Sequence, residues 1–197
     1  RTSTIDVFEA LPVLLAEDFS QCEHLTVIAP SSSLLYIPDP VHIQKIASLL
    51  PTSYLLMGTI QENRGGYSLL LRLLIPDQQK IVVVGSVDGQ ISTLSEMRTA
   101  ILQKVIETME IKCKVPEIAQ ISNVDAFEKY LRALHLMQLN SGTELDSAKT
   151  LLLRAIQIDH SFGLAYGALA DIKLRMFSAS NDSQFLQAAG EYPQRAL

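Results

Sequence analysis

The sequence predicts a mixed α/β domain followed by an all-α array of helical hairpins. Three observations carry this. Strand-length apolar runs broken by turn residues fall within the first 114 positions. Apolar residues at three- and four-residue spacing dominate from position 126 onward. Between them, residues 112–123 contain Pro116 and show little periodicity, as a linker does. The domains are therefore expected at 1–114, a mixed sheet with flanking helices, and at 115–197, helices alone.

Residues 11–22 read as a first helix. Pro12 suits a first turn, where its missing N–H costs nothing, and Leu15, Ala16, Phe19 and Cys22 share one face. A short β-branched run at 25–29 ends at Pro30, and Ser31, Ser32 and Ser33 form a polar loop. Asp39-Pro40 starts a second helix, with an acceptor at the N-cap and proline at N1. Its face is Ile43, Ile46, Ala47 and Leu50, and Pro51 stops it.

Residues 54–61 and 67–75 read as strands of a hairpin, because Asn63-Arg64-Gly65-Gly66 tolerates positive φ. Tyr67, Leu69, Leu71 and Leu73 share one face, and Leu70 and Leu74 are apolar on the other. Both faces are therefore expected to be largely covered. Pro76-Asp77-Gln78-Gln79 turns into a third strand at 80–87. Thr93-Leu94-Ser95-Glu96 fits a capping box for a helix reaching about Ile111, with Leu94, Met97, Ile101, Val105 and Met109 inward. The second half holds helices at 126–139, 144–158, 161–177 and 184–197, with Ser178–Ser183 as a polar breaker. Short connections make neighbouring helices antiparallel.

Composition narrows the function. Hydrophobic residues make up 48% of the 197 and charged residues 19%, enough for a packed core. The formal net charge is −5, and Lys112, Lys114 and Arg154 are scattered rather than clustered, so no nucleic-acid contact is expected. No stretch reaches the ~18 uninterrupted apolar residues of a spanning helix. The chain begins with Arg1 and stops within a helical pattern at Leu197, which reads as a piece of a longer protein.

Helical repeats carry the most specific pattern. Ala148, Leu152, Ala155 and His160 stand at offsets 0, 4, 7 and 12. This resembles the second helix of a tetratricopeptide repeat, where small residues let two helices cross closely and a large one fills the gap. Tyr166, Leu169 and Ala170 are similar to the aromatic, leucine and small residue of the next first helix. Ala189 and Ala196 repeat the seven-residue spacing. His160 replaces the usual proline, Lys173 stands where an aromatic is usual, and no tryptophan is present.

The front half resembles the TolB amino-terminal-like domain. Leu25-Thr26-Val27-Ile28-Ala29-Pro30-Ser31-Ser32 is similar to its "LRVIARTSS" segment, and Ile43-Gln44-Lys45-Ile46-Ala47 sits where that family has "REIGREL". Tyr54-Leu55-Leu56-Met57-Gly58-Thr59-Ile60 resembles "DYVLEGSV", and Asp125-Ala126-Phe127-Glu128-Lys129-Tyr130-Leu131-Arg132 resembles the "AYELYLRG" that opens attached repeats. The order is collinear from about Val7 to Leu174. The family's opening apolar strand lacks a counterpart, which implies an exposed sheet edge or one completed from elsewhere.

That pairing of domains occurs on the periplasmic side of CadC/ToxR-like membrane-anchored transcriptional regulators, and also in cytoplasmic parts of some adenylate cyclases. The resemblance implies a non-catalytic, signal-sensing or protein-interaction fragment. Its localisation is expected to be periplasmic, with a cytoplasmic interaction module as the alternative. A winged-helix domain and one spanning helix would precede Arg1 in such a regulator. A protein or peptide partner, or a second copy, is expected. No cofactor or ligand is written in the residues.

Few residues stand out chemically. The sequence has no GxSxG, HExxH, P-loop or GxGxxG, so no enzyme activity is expected. His24, His42, His135 and His160 lack ligand spacing, although histidine titrates near neutral pH. Cys22 and Cys113 form no CxxC pair. They either make one disulfide in an oxidising compartment, if helices 11–22 and 94–111 pack on one side of the sheet, or remain two thiols. Tetratricopeptide helices usually present a concave groove, and topology nominates Lys129, Arg132, Gln138 and Lys173 for it. The alternative is that these faces only pack internally. Asn181-Asp182-Ser183 matches a glycosylation acceptor but is equally a polar loop.

Overall fold

A computed structural model describes residues 5–28, 52–139 and 141–180. In chain order the helices are α1 (Ile5–Phe8), α2 (Leu11–Ser20), α3 (Leu94–Met109), α4 (Val124–Leu139), α5 (Gly142–Ile158) and α6 (Gly163–Ser180). The strands are β1 (Leu55–Asn63), β2 (Gly66–Ile75) and β3 (Lys80–Gly89). The protein is thus a mixed α/β chain. The helix expected at 39–50 and the one at 184–197 lie outside the described residues. The described residues form two compact units. One is Pro12–Ile121; the other joins the residues up to Leu11 to those from Ser122 onward.

In the α/β unit the strands form an antiparallel sheet in the order β1-β2-β3. The β1–β2 turn closes at Asn63 opposite Gly66, and the Asn63 side-chain oxygen accepts the Gly65 N–H at 2.9 Å. Gly66 has a φ of 142°, which only glycine adopts without strain. The β2–β3 turn is a 3₁₀ turn, Pro76–Gln78, closed by Gln79 in the left-handed region. In β3, Leu71 pairs with Gly85 and Arg72 with Val83, so Val84 is a bulge that the sequence did not reveal.

Directly paired residues share a face. Tyr67, Leu69, Leu71, Leu73 and Val87 form the buried face, and Leu94, Met97, Ile101, Leu102 and Val105 of α3 are buried with them. A Cβ on Gly89 would strike the Met97 side chain, which places α3 on this face. The other face is not largely covered, contrary to the alternation reading. Leu74 is buried there and Leu70 half-buried, but Ile81 and Val83 are 50% and 65% exposed. The bulge explains part of this, because it swings the start of β3 out of register with its end.

Two links bind α2 and the turn after it to α3 and the run after it. Asp18 and Arg98 form a two-pronged ion pair at 2.9 and 2.6 Å, and their residues are only 3% and 9% exposed. Cys22 and Cys113 are joined as a disulfide. The capping box lies three residues earlier than the sequence suggested. Thr93 Oγ1 bonds back to Gln90, capping the 3₁₀ turn Ile91–Thr93. That hydroxyl is then occupied, and Thr93 makes no side-chain cap for α3. The run after α3 is anchored too, since the Ser95 hydroxyl donates to the Ala119 carbonyl at 2.8 Å. Residues 25–28 have no regular structure.

In the helical unit α4, α5 and α6 run down, up and down. Ser122, before α4, donates to Asp159 at the end of α5 at 2.9 Å, which makes that pair antiparallel. Arg175 of α6 donates to the Met137 carbonyl near the end of α4 at 3.0 Å, which aligns those two. Asn123 caps α4 by accepting the Ala126 N–H at 3.1 Å. Ala148, Ala155 and Ala165 are fully buried, as are the large Leu131, Leu152 and Leu169. Phe127, Tyr130 and Phe162 cluster with ring centroids 5.4 to 6.2 Å apart. The helix α6 runs on through Ser178 to Ser180, so the first part of the supposed polar breaker is helical.

Candidate partner-binding surface

The helix α4 carries three of the four residues nominated for a groove. Its spacing gives each basic residue an acid one turn earlier. Lys129 pairs with Asp125, and Arg132 donates to Glu128 at 2.6 Å. Arg132 Nε is buried and has no hydrogen-bond partner among the described residues, and the same holds for Gln138 Nε2. Both are donors that water or protein normally satisfies. Lys173, on α6, is turned toward Lys149 and Asp146 of α5. Its ammonium is held below the ordinary lysine range, first by desolvation and then by the Lys149 charge. Lys173 therefore belongs to the α5–α6 contact, whereas Lys129 and Arg132 lie together on α4.

A contact that the sequence did not suggest lies beside Arg132. The short helix α1 packs on α4, with Val7, Phe8 and the following Ala10 buried. Glu9 Oε2 lies 3.1 Å from His135 Nδ1, and the side chains are 54% and 25% exposed. Position 135 is one turn beyond Arg132 on the same side of α4. Nothing in the spacing of Glu9 and His135 signals this pair, because 126 positions separate them.

The remaining nominated residues are placed as follows. Cys22 and Cys113 are bonded, and no free cysteine remains among the described residues. His24 is exposed after α2, His160 is exposed beside Asp159, and His42 lies outside the described residues. Asp159 accepts from Ser161 and Ser122, which holds its carboxyl below the ordinary aspartate range. Among the described residues no three His, Cys, Asp or Glu converge as a metal site. No described helix is long and apolar enough to cross a membrane. No family model matches the chain, and no curated protein matches it.

Proposed function

We propose that this chain is a non-catalytic signal-sensing and protein-interaction fragment, the periplasmic part of a CadC-like membrane-anchored transcriptional regulator. The observation that carries the reading is the antiparallel succession α4–α5–α6, with Ala148 and Ala155 fully buried on α5 at the offsets of a tetratricopeptide second helix. A helix stack of this kind binds other chains along its surface rather than transforming a small molecule. The Cys22–Cys113 bond supports an oxidising compartment, where such bonds persist.

The parent sequence ahead of Arg1 tests the reading. One spanning helix preceded by a winged-helix domain is the expected outcome. A cyclase or other cytoplasmic catalytic domain there would overturn it. Thiol alkylation in intact cells is an independent check. Two alkylated cysteines without prior reduction would contradict the periplasmic assignment and favour a cytoplasmic interaction module.

A further inference from the structure

We propose that the sheet face opposite α3 is a docking surface for an amphipathic helix of a partner protein, one whose apolar stripe carries a single carboxylate that pairs with Arg72. The inference rests on the interaction reading above and deepens it, placing a contact in the α/β unit rather than in the helix stack.

Register lays this face out row by row, because paired residues of antiparallel strands share a face and alternate residues of one strand do too. In the first row Leu74 of β2 stands between Leu55 and Ile81. In the second, Arg72 stands between Met57 and Val83. Leu70 follows in the third row, and the fourth is polar. One cation is thus set in an apolar patch. The only acid that the strands place on this face, Asp88, lies opposite Ser68 in the fourth row, about 13 Å along the sheet from Arg72.

The patch is open on its β3 side, where Ile81 and Val83 are 50% and 65% exposed. Arg72 is half-buried and makes no hydrogen bond or ion pair among the described residues. The same unit shows what satisfies such a group. Arg98 stands among the buried apolar residues of α3, and the helix α2 brings Asp18 to it at 2.9 and 2.6 Å. Arg72 presents one half of that arrangement without the other. A helix is also the element that closes an open sheet face, as α3 does on the opposite side. Its stripe needs a carboxylate, because a guanidinium covered by apolar side chains alone loses water and gains no charge partner. A second copy fits poorly, since two such faces would set Arg72 against Arg72. An anionic membrane fits poorly as well. Its pull grows with the number of clustered cations, and this patch has one, on a chain of net charge −5.

The test uses the full chain and two labelled, lactam-bridged helical peptides. They differ at one position of their leucine stripe, which is glutamate in one and lysine in the other. Fluorescence anisotropy should show the glutamate probe binding on the order of ten-fold more tightly, and Arg72→Glu should reverse that order. Val83→Ser, at an exposed position, should weaken both probes alike and keep the preference. Arg72→Gln should erase the preference and melt with the wild type. No preference, or none that Arg72→Glu reverses, would overturn the proposal.

A lower melting temperature for Arg72→Gln would also overturn it, because the guanidinium would then be held by the chain's own residues. A wild-type dimer that Val83→Ser dissociates would assign the face to a second copy. Binding to phosphatidylglycerol vesicles that Val83→Ser abolishes would assign it to a membrane. Either result sinks the helix-docking proposal. Failure of the charge reversal beside an upstream winged-helix domain and spanning helix removes this surface and leaves the regulator reading intact. Charge reversal in a chain with a catalytic domain upstream of Arg1 does the opposite.

Discussion

Reducing the Cys22–Cys113 bond should remove most of the stability of the α/β unit and little from the helical one. The two cysteines are 91 positions apart, so the bond closes almost the whole length of Pro12–Ile121. For a loop of that size the chain-entropy relation gives about 15.6 cal/mol/K, or about 4.6 kcal/mol at 25 °C. Natural domains have only about 5–15 kcal/mol in total. With a urea dependence of about 1–1.5 kcal/mol/M for a unit this long, the midpoint should fall by about 3–4.6 M. The Asp18–Arg98 pair still fastens α2 to α3 after reduction, so the unit should weaken rather than lose its native arrangement at once. The assay is urea unfolding with and without reductant, followed by amide exchange so that each unit is read separately. Cys22→Ala/Cys113→Ala serves as a reductant-free control. A midpoint for residues 12–121 that reductant leaves in place would refute the reasoning.

Four other perturbations have defined outcomes. Arg98→Met strands the buried Asp18 carboxylate and should cost about 3–5 kcal/mol, whereas adding Asp18→Leu should recover most of it, as thermal unfolding of both variants would show. Gly89→Ala forces its new methyl against Met97 and should cost about 1–3 kcal/mol, because methionine can yield only part of the way. The Asp159 carboxyl is depressed by Ser161 and Ser122, so its contribution is complete above the ordinary aspartate range and is lost as pH falls through its lowered value. Asp159→Asn should therefore flatten the acid limb of an unfolding titration, and an unchanged limb would refute the assignment. Phe8→Ala should cost about 3–5 kcal/mol, and hydrogen exchange should place the loss in residues 122–180 rather than in the sheet.

The parts legible in the sequence were those set by near neighbours. Asn63-Arg64-Gly65-Gly66 fixes a hairpin because its backbone requirements are local, and β1 and β2 fall within two residues of expectation. Helices α3 to α5 were readable from apolar spacing for the same reason. The Val84 bulge was hidden because every residue from Ile81 to Val84 is β-branched and apolar, so either register fits the pattern. The capping box moved because Thr93 had two candidate partners, and Gln90 took it. Of the surface residues, Lys129 and Arg132 carried a signal that points to internal pairing: acids four residues before each. Asp18 and Arg98 carried one as well, since each is a lone charge on an otherwise apolar helix face. Opposite lone charges on two apolar faces are a reason to pack those faces together, because neither survives burial unpaired.

The boundary between the units follows from the same logic of partners rather than from texture. Residues 112–121, the greater part of the linker read at 112–123, lack periodicity. Yet Cys113 is bonded to Cys22 and the Ala119 carbonyl is held by Ser95, so this stretch is fastened to the sheet-bearing unit along its length. A segment can lack periodicity because it lies extended along a helix, not only because it is free. The chain changes unit where those anchors end, at Ser122, and Asn123 begins the next helix at once with its side chain on the Ala126 N–H. At the other end, burial decides against sequence adjacency. Val7, Phe8 and Ala10 precede α2 directly, but their buried surface is shared with α4, more than a hundred residues on. Residues with so little polar surface join whichever unit covers them. The chain therefore passes from one unit to the other twice, after Leu11 and after Ile121.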